Sequence, residues 1–394
     1  MKRLQALLLL SLASTFLLFG CGKKEEVDEQ PAVSQVIEKQ PELEETNETA
    51  EPAAEEAPTD DEAPPKEGMV RSTLTNEWIE GDLKDARPIS IMVPNDSSAL
   101  PHYNLSKADI LYECPVEGNI TRSMAVIKDW ENLDRIGNVR SCRDYFVYWA
   151  FEWDSIYLHF GGPYYINEII ERKDTDHITG CAYGDKRTDG LYEGTFYRST
   201  DKKAPQNAYA SAEGINKGIN KLGISKTYRD GYYNADHFKF ASSKEPNTLE
   251  KYSDAIAAKE IDMASAYPIT KTSFTYNEND GLYYRYMYGN PDVDAANDSQ
   301  QLAFKNVLVQ FTYHEVRDAK GYLIFQVHDT TRDGYFFTNG KGIHVTWKKS
   351  GDYEPTKFYD DDGNEIEVNT GKTMICIVED GDSFKADGAT LKAK

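Results

Sequence analysis

The chain has 394 residues, of which 66 are Asp or Glu and 44 are Lys or Arg, so its formal net charge is −22. An acidic protein without a basic run is poorly suited to binding the phosphate backbone of nucleic acid, so we exclude nucleic acid as a partner. The sequence has no phosphate-binding glycine loop, no nucleophile elbow and no H-E-x-x-H motif, and it predicts no cofactor.

The first 20 residues are typical of a bacterial lipoprotein signal peptide. Lys2 and Arg3 precede LQALLLLSLASTFLLFG, which is shorter than the roughly 20 apolar residues of a comfortable membrane span. LLFGC matches a lipobox with Cys21 as the residue that receives the diacylglyceryl group; the alternative is an ordinary secretory signal before an incidental cysteine. The expected location is the outer face of the cytoplasmic membrane, with the lipid as anchor.

Residues 21–68 are predicted to be a disordered acidic tether that begins at the lipidated cysteine. The segment 22–68 contains sixteen acidic residues, four basic residues and no aromatic residue. Such a segment cannot bury enough apolar surface to offset the entropy that it would lose on ordering. The body that follows, residues 69–394, carries a net charge of −12.

Residues 69–267 are predicted to form a mixed α/β N-terminal domain, because strand and helix patterns alternate there. The predicted strands are RPISIMV, ADILYECPVEG, NITRSMAVIKD and DSIYLHF. The predicted helices are DYFVYWAFEW, YYINEIIER, SAEGINKGINKLG and the centre of KEPNTLEKYSDAIAAKE. DYFVYWAFEW is apolar nearly all round, so a buried strand is the alternative there.

Residues 268–394 are predicted to form a β-rich C-terminal domain. Alternating segments such as NVLVQFTYHEV, GYLIFQVHD and TMICIVED are separated by DG, NG and DDGN turns. The fold class is therefore α+β. Within this part, NPDVDAANDSQ clusters acidic and amide side chains but lacks the glycine and the terminal glutamate of an EF-hand loop, so we predict no metal site.

Charges interrupt the predicted hairpin YECPVEGNITR. A two-residue turn at Gly118-Asn119 would place Glu113, Glu117 and Arg122 on one face of the hairpin. The structural interpretation is a cross-strand ion pair that contributes little to stability. The functional interpretation is that these side chains form the polar face of a site.

Further polar residues lie just before the predicted helix DYFVYWAFEW. RIGNVRSCRDYF places Arg140, Ser141 and Arg143 at the start of that helix. Backbone N–H groups and the helix dipole favour an anion at a helix N-terminus, and two guanidinium groups would strengthen the attraction. This segment therefore predicts contact with an anionic ligand.

Two more segments contribute candidate residues. In LHFGGP, His159 ends a strand before two glycines, and a histidine there is suited to proton transfer, although most such histidines are hydrogen-bonded core residues. In KKAPQNAY, Gln206 and Asn207 could orient a polar ligand or could stabilise a turn.

Several motifs in order resemble those of the YerB-like bacterial lipoproteins, over nearly all of residues 85–380. The resemblance implies a lipid-anchored envelope protein of a Gram-positive bacterium, and it implies no reaction. The sequence departs from the family pattern at Cys114 and Cys142, where alanine is usual, and at Gln206, where histidine is usual. The first departure favours a disulfide between Cys114 and Cys142, with two buried thiols as the alternative; the second weakens any mechanism that needs a histidine at 206. The motifs are DILYECPVEGNITRSMAVI, RIGNVRSCRDYF, HFGGP, APQNAY and VTWKK followed by PTKFYDDDGNEIEVNTGKT.

Two functions remain open on the sequence, and a surface for partner proteins on the tyrosine-rich β module is a third possibility. The first is a non-catalytic protein that binds an anionic cell-wall component or an envelope partner protein. The second is a glycan or peptidoglycan hydrolase or transferase with Glu113 or Glu117 as acid/base. Arginine beside both carboxylates would lower their pKa values, the wrong direction for a general acid, so the sequence favours binding. The predicted ligand-binding residues are Glu113, Glu117, Arg122, Arg140, Ser141, Arg143, His159 and Asn207.

Overall fold

The computed structural model describes residues 62–180 and 194–394. The predicted signal peptide, Cys21 and most of the predicted tether lie outside the described residues. In the described part of the chain, no helix combines the length and the apolar character needed to span a membrane.

The first part of the body alternates strands with helices. Its strands are β1 (Met69–Arg71), β2 (Trp78–Glu80), β3 (Ile89–Pro94), β4 (Ile110–Pro115), β5 (Thr121–Ile127), β6 (Ile136–Gly137), β7 (Ile156–His159), β8 (His177–Thr179), β9 (Phe196–Arg198) and β10 (Ala208–Ala210). Its α-helices are α1 (Asp144–Phe151), α2 (Asn167–Ile170) and α3 (Ala212–Leu222). Short 3₁₀ turns lie at Gly81–Leu83, Ser97–Ala99, Leu105–Lys107, Glu117–Asn119 and Tyr164–Ile166.

The second part is built from strands. They are β11 (Ile256–Ala257), β12 (Glu260–Asp262), β13 (Ser273–Asn277), β14 (Leu282–Met287), β15 (Asn290–Pro291), β16 (Val293–Asp294), β17 (Gln300–Gln301), β18 (Ala303–Phe304), β19 (Asn306–Thr312), β20 (His314–Val316), β21 (Leu323–Phe325), β22 (Thr330–Thr338), β23 (Lys341–Lys349), β24 (Lys357–Tyr359), β25 (Thr373–Glu379), β26 (Phe384–Ala386) and β27 (Ala389–Leu391). The expected α+β class is thus confirmed in part, because the structure is rich in strands and its described helices are few and short.

One mixed sheet joins strands from both halves of the body. Within the described residues it has eleven strands in the order β11-β23-β22-β19-β25-β4-β5-β3-β7-β8, with β24 paired to β23. β25 and β4 run parallel, with Thr373 opposite Ile110 and Cys376 opposite Glu113. The two halves are therefore joined by backbone hydrogen bonds along a central seam.

The predicted domain boundary falls inside a second sheet. β12 and β13 lie on either side of position 267/268, and they pair antiparallel with Glu260 opposite Thr275. The described residues belong to one compact unit. Whether 69–267 and 268–394 fold separately stays a prediction.

The main sheet is covered on both faces. Leu111 and Ala125 belong to an apolar cluster with residues of α3 and of the second sheet. Tyr112 and Met124, their neighbours along β4 and β5, belong to another cluster with residues of α1 and α2. Side chains alternate between faces along a strand, so the β4–β5 ribbon supplies a core on each side.

The helix predictions met different outcomes. The predicted helix at SAEGINKGINKLG is confirmed by α3, whose N-cap Ser211 accepts a hydrogen bond from the N–H of Gly214. The helix predicted within KEPNTLEKYSDAIAAKE is wrong. There, the Asn247 side chain accepts from the N–H of Leu249 and donates to the carbonyl oxygen of Glu367, and such local bonds compete with helix formation.

Candidate anion-binding site

β4 and β5 are joined by a three-residue turn, Glu117–Asn119. Gly118 and Asn119 take φ values of 76° and 59°, and the N–H of Val116 donates to the carbonyl oxygen of Ile120. Glycine and asparagine reach this left-handed region at low cost. The predicted two-residue turn is therefore one residue too short.

The extra turn residue changes the register of the ribbon. Glu113 lies opposite Ser123, and Cys114 lies opposite Arg122. Directly opposite residues share a face, and a shift of one residue moves a side chain to the other face of the sheet. Glu113 and Arg122 consequently point to opposite faces, and the prediction of a common face is wrong.

Glu113 belongs to a fully buried polar network beneath the second sheet. Its Oε2 accepts a hydrogen bond from Nη2 of Arg285 at 2.8 Å, and Arg285 also pairs with Asp292. Glu113, Arg285 and Asp292 are all at most 2 % exposed. The Oε1 atom of Glu113 accepts hydrogen bonds from Asn95, Thr121 and Thr272 at 3.2, 2.6 and 2.8 Å. This network ties the two halves of the body together, and it lies away from the face that carries the arginines.

Arg122 points to the face covered by α1. It is 4 % exposed, and its Nη1 donates to the carbonyl oxygen of Ser141 at 2.8 Å. Its Nε has no hydrogen-bond partner, and the guanidinium forms no salt bridge, among the described residues. Burial, followed by the positive charges of Arg143 and Arg140, lowers the pKa of Arg122 to about 10.

Arg143 is the partner of Glu117. Its Nε donates to Oε2 of Glu117 at 3.0 Å, and its Nη2 donates to Oε1, so the pair is bidentate. Burial alone would raise the pKa of Glu117, but the bonds and charge of Arg143 outweigh it and the pKa falls below its ordinary value. The pair is electrically neutral, so Arg143 adds little surplus charge.

Arg140 lies in the segment between the ends of β3 and β7. Its N–H donates to the carbonyl oxygen of Met92, and its carbonyl oxygen accepts from the N–H of Phe160, both at 2.9 Å. Its side chain is half-buried, and its Nε has no hydrogen-bond partner in the described part of the chain. Burial lowers the pKa of Arg140, and the nearby Asp96 acts in the opposite direction. Arg140 therefore has a fixed backbone position, and its guanidinium forms no salt bridge among the described residues.

The helix predicted at DYFVYWAFEW is confirmed by α1, which begins at Asp144. The Oδ1 of Asp144 accepts a hydrogen bond from the N–H of Tyr145 at 3.1 Å, and Arg317 from the β20–β21 hairpin binds the other oxygen. A carboxylate of the chain itself thus occupies the first turn. The positive charge near the N-terminus of α1 therefore comes from arginine side chains more than from the helix dipole.

Ser141 and His159 hold the loop beneath the arginines. The Oγ of Ser141 donates to the carbonyl oxygen of Phe160 at 3.1 Å. His159 is fully buried, with Nδ1 2.7 Å from the carbonyl oxygen of Gly161 and Nε2 3.1 Å from Nδ1 of His177. Because a carbonyl oxygen only accepts, Nδ1 of His159 carries the proton. These contacts make His159 a positioning residue for the glycine loop.

Asn207 acts on the arginines through a neighbour. Its Nδ2 donates to the carbonyl oxygen of Ser199 at 2.8 Å, and its Oδ1 accepts from Nη1 of Arg198 at 2.7 Å. The charge of Arg198 in turn acts on Arg140. Asn207 therefore orients an exposed arginine at the rim, and its direct contact with a ligand stays a prediction.

Sequence reasoning missed Arg285, the partner of Glu113. A signal was present in β14, where Tyr283, Arg285 and Met287 are buried and alternate with half-buried residues. A charged residue at a core position of an alternating strand indicates a buried partner. The identity of that partner, 172 positions away, had no signal in the sequence.

The predicted disulfide between Cys114 and Cys142 is wrong. Both side chains are buried in the same apolar cluster, but they are not bonded to each other. Cys114 lies on β4, whereas the N–H of Cys142 donates to the carbonyl oxygen of Gly161, beyond the end of β7. β5 and β3 separate β4 from β7 in the sheet, so the two cysteines are not carried by adjacent strands.

The aspartates of NPDVDAANDSQ bind protein groups. Asp292 pairs with Arg285, and Asp294 accepts hydrogen bonds from the N–H groups of Asn104 and Ser106, both at 2.8 Å. Within residues 62–180 and 194–394, no group of three or more His, Cys, Asp or Glu side chains is arranged to hold a metal ion.

Comparison with known proteins gives two family matches. Residues 74–225 match the N-terminal domain and residues 261–375 match the C-terminal domain of a protein family of unknown function, DUF3048. A Bacillus subtilis (strain 168) relative named Putative lipoprotein YerB is 27 % identical over 329 residues, which cover 82 % of this chain and 90 % of the relative. The chain belongs to the YerB-like family.

The fold of this YerB-like protein also resembles a solved structure. The crystal structure of YerB protein from Bacillus subtilis matches with a TM-score of 0.65 at 24 % identity. The match covers 78 % of this chain and 96 % of that one. At this identity the likeness shows the fold, and the function must be argued from the site.

Proposed function

We propose that this YerB-like lipoprotein is anchored at the outer face of the cytoplasmic membrane of a Gram-positive bacterium and binds an anionic cell-wall component. The diacylglyceryl group on Cys21 would be the anchor, in keeping with the lipobox and with the name of the relative. Arg122 and Arg140 would be the main contacts, with Arg143 and Glu117 beside them.

The observation that carries this proposal is that Arg122 is buried and forms no salt bridge among the described residues. Four described arginines are buried: Arg87, Arg122, Arg143 and Arg285. Arg87 pairs with Asp154 and Asp176, Arg143 pairs with Glu117, and Arg285 pairs with Glu113 and Asp292. Arg122 is the exception among them. Taking a cation out of water costs several kcal/mol unless a counter-charge is supplied, and an anionic ligand would supply it.

The alternative of a hydrolase or transferase gains no support from the geometry. Glu113 is buried in the network with Arg285, on the other face of the ribbon from Arg122. The pKa of Glu117 is lowered, whereas a general acid needs a raised pKa. Binding is therefore the function that we put forward.

A retention experiment tests the proposal. Full-length protein in detergent micelles is incubated with purified cell walls, and the bound and released fractions are measured. Arg122→Gln and Arg140→Gln should each reduce retention at least tenfold, because each removes a positive charge from the site. Arg332→Gln is the matched control, since Arg332 pairs with Asp380 elsewhere in the molecule, and it should retain normal binding.

Two results would contradict the proposal. The first is equal retention of the Arg122 and Arg140 variants and the wild type in protein whose circular dichroism is unchanged. The second is release of soluble wall fragments that is lost in Glu117→Gln, which would favour the enzyme. Fragment release is therefore scored in the same samples.

A further inference from the structure

The charges of the arginine site do not balance. Arg143 and Glu117 neutralise each other through their bidentate pair. Arg122 and Arg140 form no salt bridge within the described residues, so two guanidinium groups of the site have no acidic partner in direct contact. The half-exposed Asp96 acts on Arg140 without forming a salt bridge with it, and solvent screens such a charge.

We infer that the ligand of this site carries a phosphate group with two negative charges. The inference rests on the proposed function and specifies the chemistry of the ligand. A phosphate monoester brings two negative charges to the two unpaired guanidinium groups of Arg122 and Arg140, whereas a single carboxylate or a phosphodiester brings one. A phosphate monoester also offers three terminal oxygens to the guanidinium N–H groups, whereas a carboxylate offers two.

The hydrogen-bond donors of the site support this choice. The Nε atoms of Arg122 and Arg140 are buried, and neither has a partner among the described residues. The hydroxyl of Tyr165 is likewise buried without a described partner, and the charges of Arg143 and Glu117 act on it. Burial raises the pKa of Tyr165, so the hydroxyl keeps its proton and can donate. Each of these groups is an N–H or O–H donor of the kind that phosphate oxygens accept from.

The charge of the whole body favours a compact anion. Residues 69–394 carry a net charge of −12, so a long polyanion would be repelled along most of the surface. An anion whose charge is concentrated in one group contacts the arginines and avoids the remaining acidic surface. This argument favours a phosphate at a chain end or on a single sugar or lipid over an extended polyphosphate.

The test compares small anions that differ in one property. Full-length protein in neutral detergent micelles is titrated by calorimetry with methyl phosphate, dimethyl phosphate and acetate. Methyl phosphate, the dianion, should bind at least tenfold more tightly than dimethyl phosphate or acetate. Equal affinity for dimethyl phosphate would overturn the charge argument, and equal affinity for acetate would overturn the choice of phosphate.

Variants locate the binding. Arg122→Gln and Arg140→Gln should each weaken methyl phosphate binding at least tenfold, and Tyr165→Phe should weaken it several-fold. Arg332→Gln should not change it. Because Arg140 is half-exposed, its variant keeps the test valid if the Arg122 variant folds poorly. Equal loss of affinity in Arg332→Gln would show binding through general charge and overturn the site.

Two further probes separate the sources of the phosphate. Glucose 6-phosphate represents a soluble sugar ester, and vesicles with phosphatidic acid represent a lipid headgroup. Arginine-dependent binding of either supports the inference and assigns the source. If wall retention depends on Arg122 and Arg140 but no phosphate ester binds, the phosphate inference fails and the proposed function stands. If retention is also unaffected by these variants, both fail.

Discussion

The two faces of the β4–β5 ribbon carry arginines in opposite situations. On one face, Arg285 is enclosed by Glu113 and Asp292, and hydroxyl and amide donors complete the network. On the other face, Arg122 is nearly as buried but has a backbone carbonyl oxygen as its hydrogen-bond acceptor among the described residues. The comparison shows the same residue type matched by acids in one place and unmatched in the other.

This difference separates a structural role from a binding role. A buried cation that the chain itself neutralises is part of the architecture, because removing either partner leaves an uncompensated charge. A buried cation without an acid partner is compensated when an anion binds. Stability should therefore respond to changes at Arg285, and affinity should respond to changes at Arg122.

The largest expected effect is a loss of stability when the buried ion pairs of Arg285 are disturbed. Glu113→Gln leaves Arg285 without one of its two acid partners, and we expect the free energy of unfolding to fall by about 3–5 kcal/mol. Urea denaturation followed by tryptophan fluorescence measures this change. A loss below about 1 kcal/mol would remove the contrast between the two faces.

The second prediction concerns the effect of Arg122, which has no described acidic partner, on the stability of the protein. Arg122→Met removes one hydrogen bond to Ser141, worth about 1 kcal/mol, and it also removes a buried cation that has no described acid partner. These effects oppose each other, and because burying an unpaired cation costs several kcal/mol, we expect the free energy of unfolding to stay unchanged or to rise. The same urea titration provides the check, and a loss as large as that of Glu113→Gln would assign Arg122 a structural role.

A third and smaller effect is expected from pH at the Glu117–Arg143 pair. The pKa of Glu117 in the folded protein lies below its ordinary value of 4.5, so its contribution to stability is present above that value and is lost as pH falls through the folded pKa. The stability difference between wild type and Glu117→Gln should therefore narrow as pH falls from 6 toward 3. Unfolding curves at several pH values test this, and a constant difference would contradict it.

A fourth prediction uses the same variant, Glu117→Gln, to test how the charge of Arg143 affects ligand affinity. Glu117→Gln frees Arg143 from its carboxylate and adds one positive charge beside Arg122 and Arg140. Methyl phosphate should then bind several-fold more tightly, provided that Arg143 stays in place. Calorimetric titration of the variant gives the result. Unchanged or weaker binding would mean that Glu117 holds Arg143 in the geometry that the ligand needs.

Local patterns predicted much of the architecture. The mostly apolar runs ADILYECPVEG and NITRSMAVIKD, divided by a turn signal, identified β4 and β5, and the capping pattern around SAEGINKGINKLG identified α3. These signals depend on neighbours a few residues apart. The register of the ribbon was not predicted correctly. A turn of two or three residues is compatible with Gly118-Asn119, and the choice exchanges the faces of all side chains on one strand.

The sequence by itself determined which strands and helices most segments form and that Arg140 and Arg143 precede α1, and it predicts a lipoprotein signal peptide. The tertiary structure decided which buried charges have a partner of opposite charge. Glu113 meets Arg285 across 172 positions, whereas Arg122 meets other arginines, and no local pattern encodes either distance. The physical reason is that charge balance depends on three-dimensional proximity, which the pairing of distant strands creates.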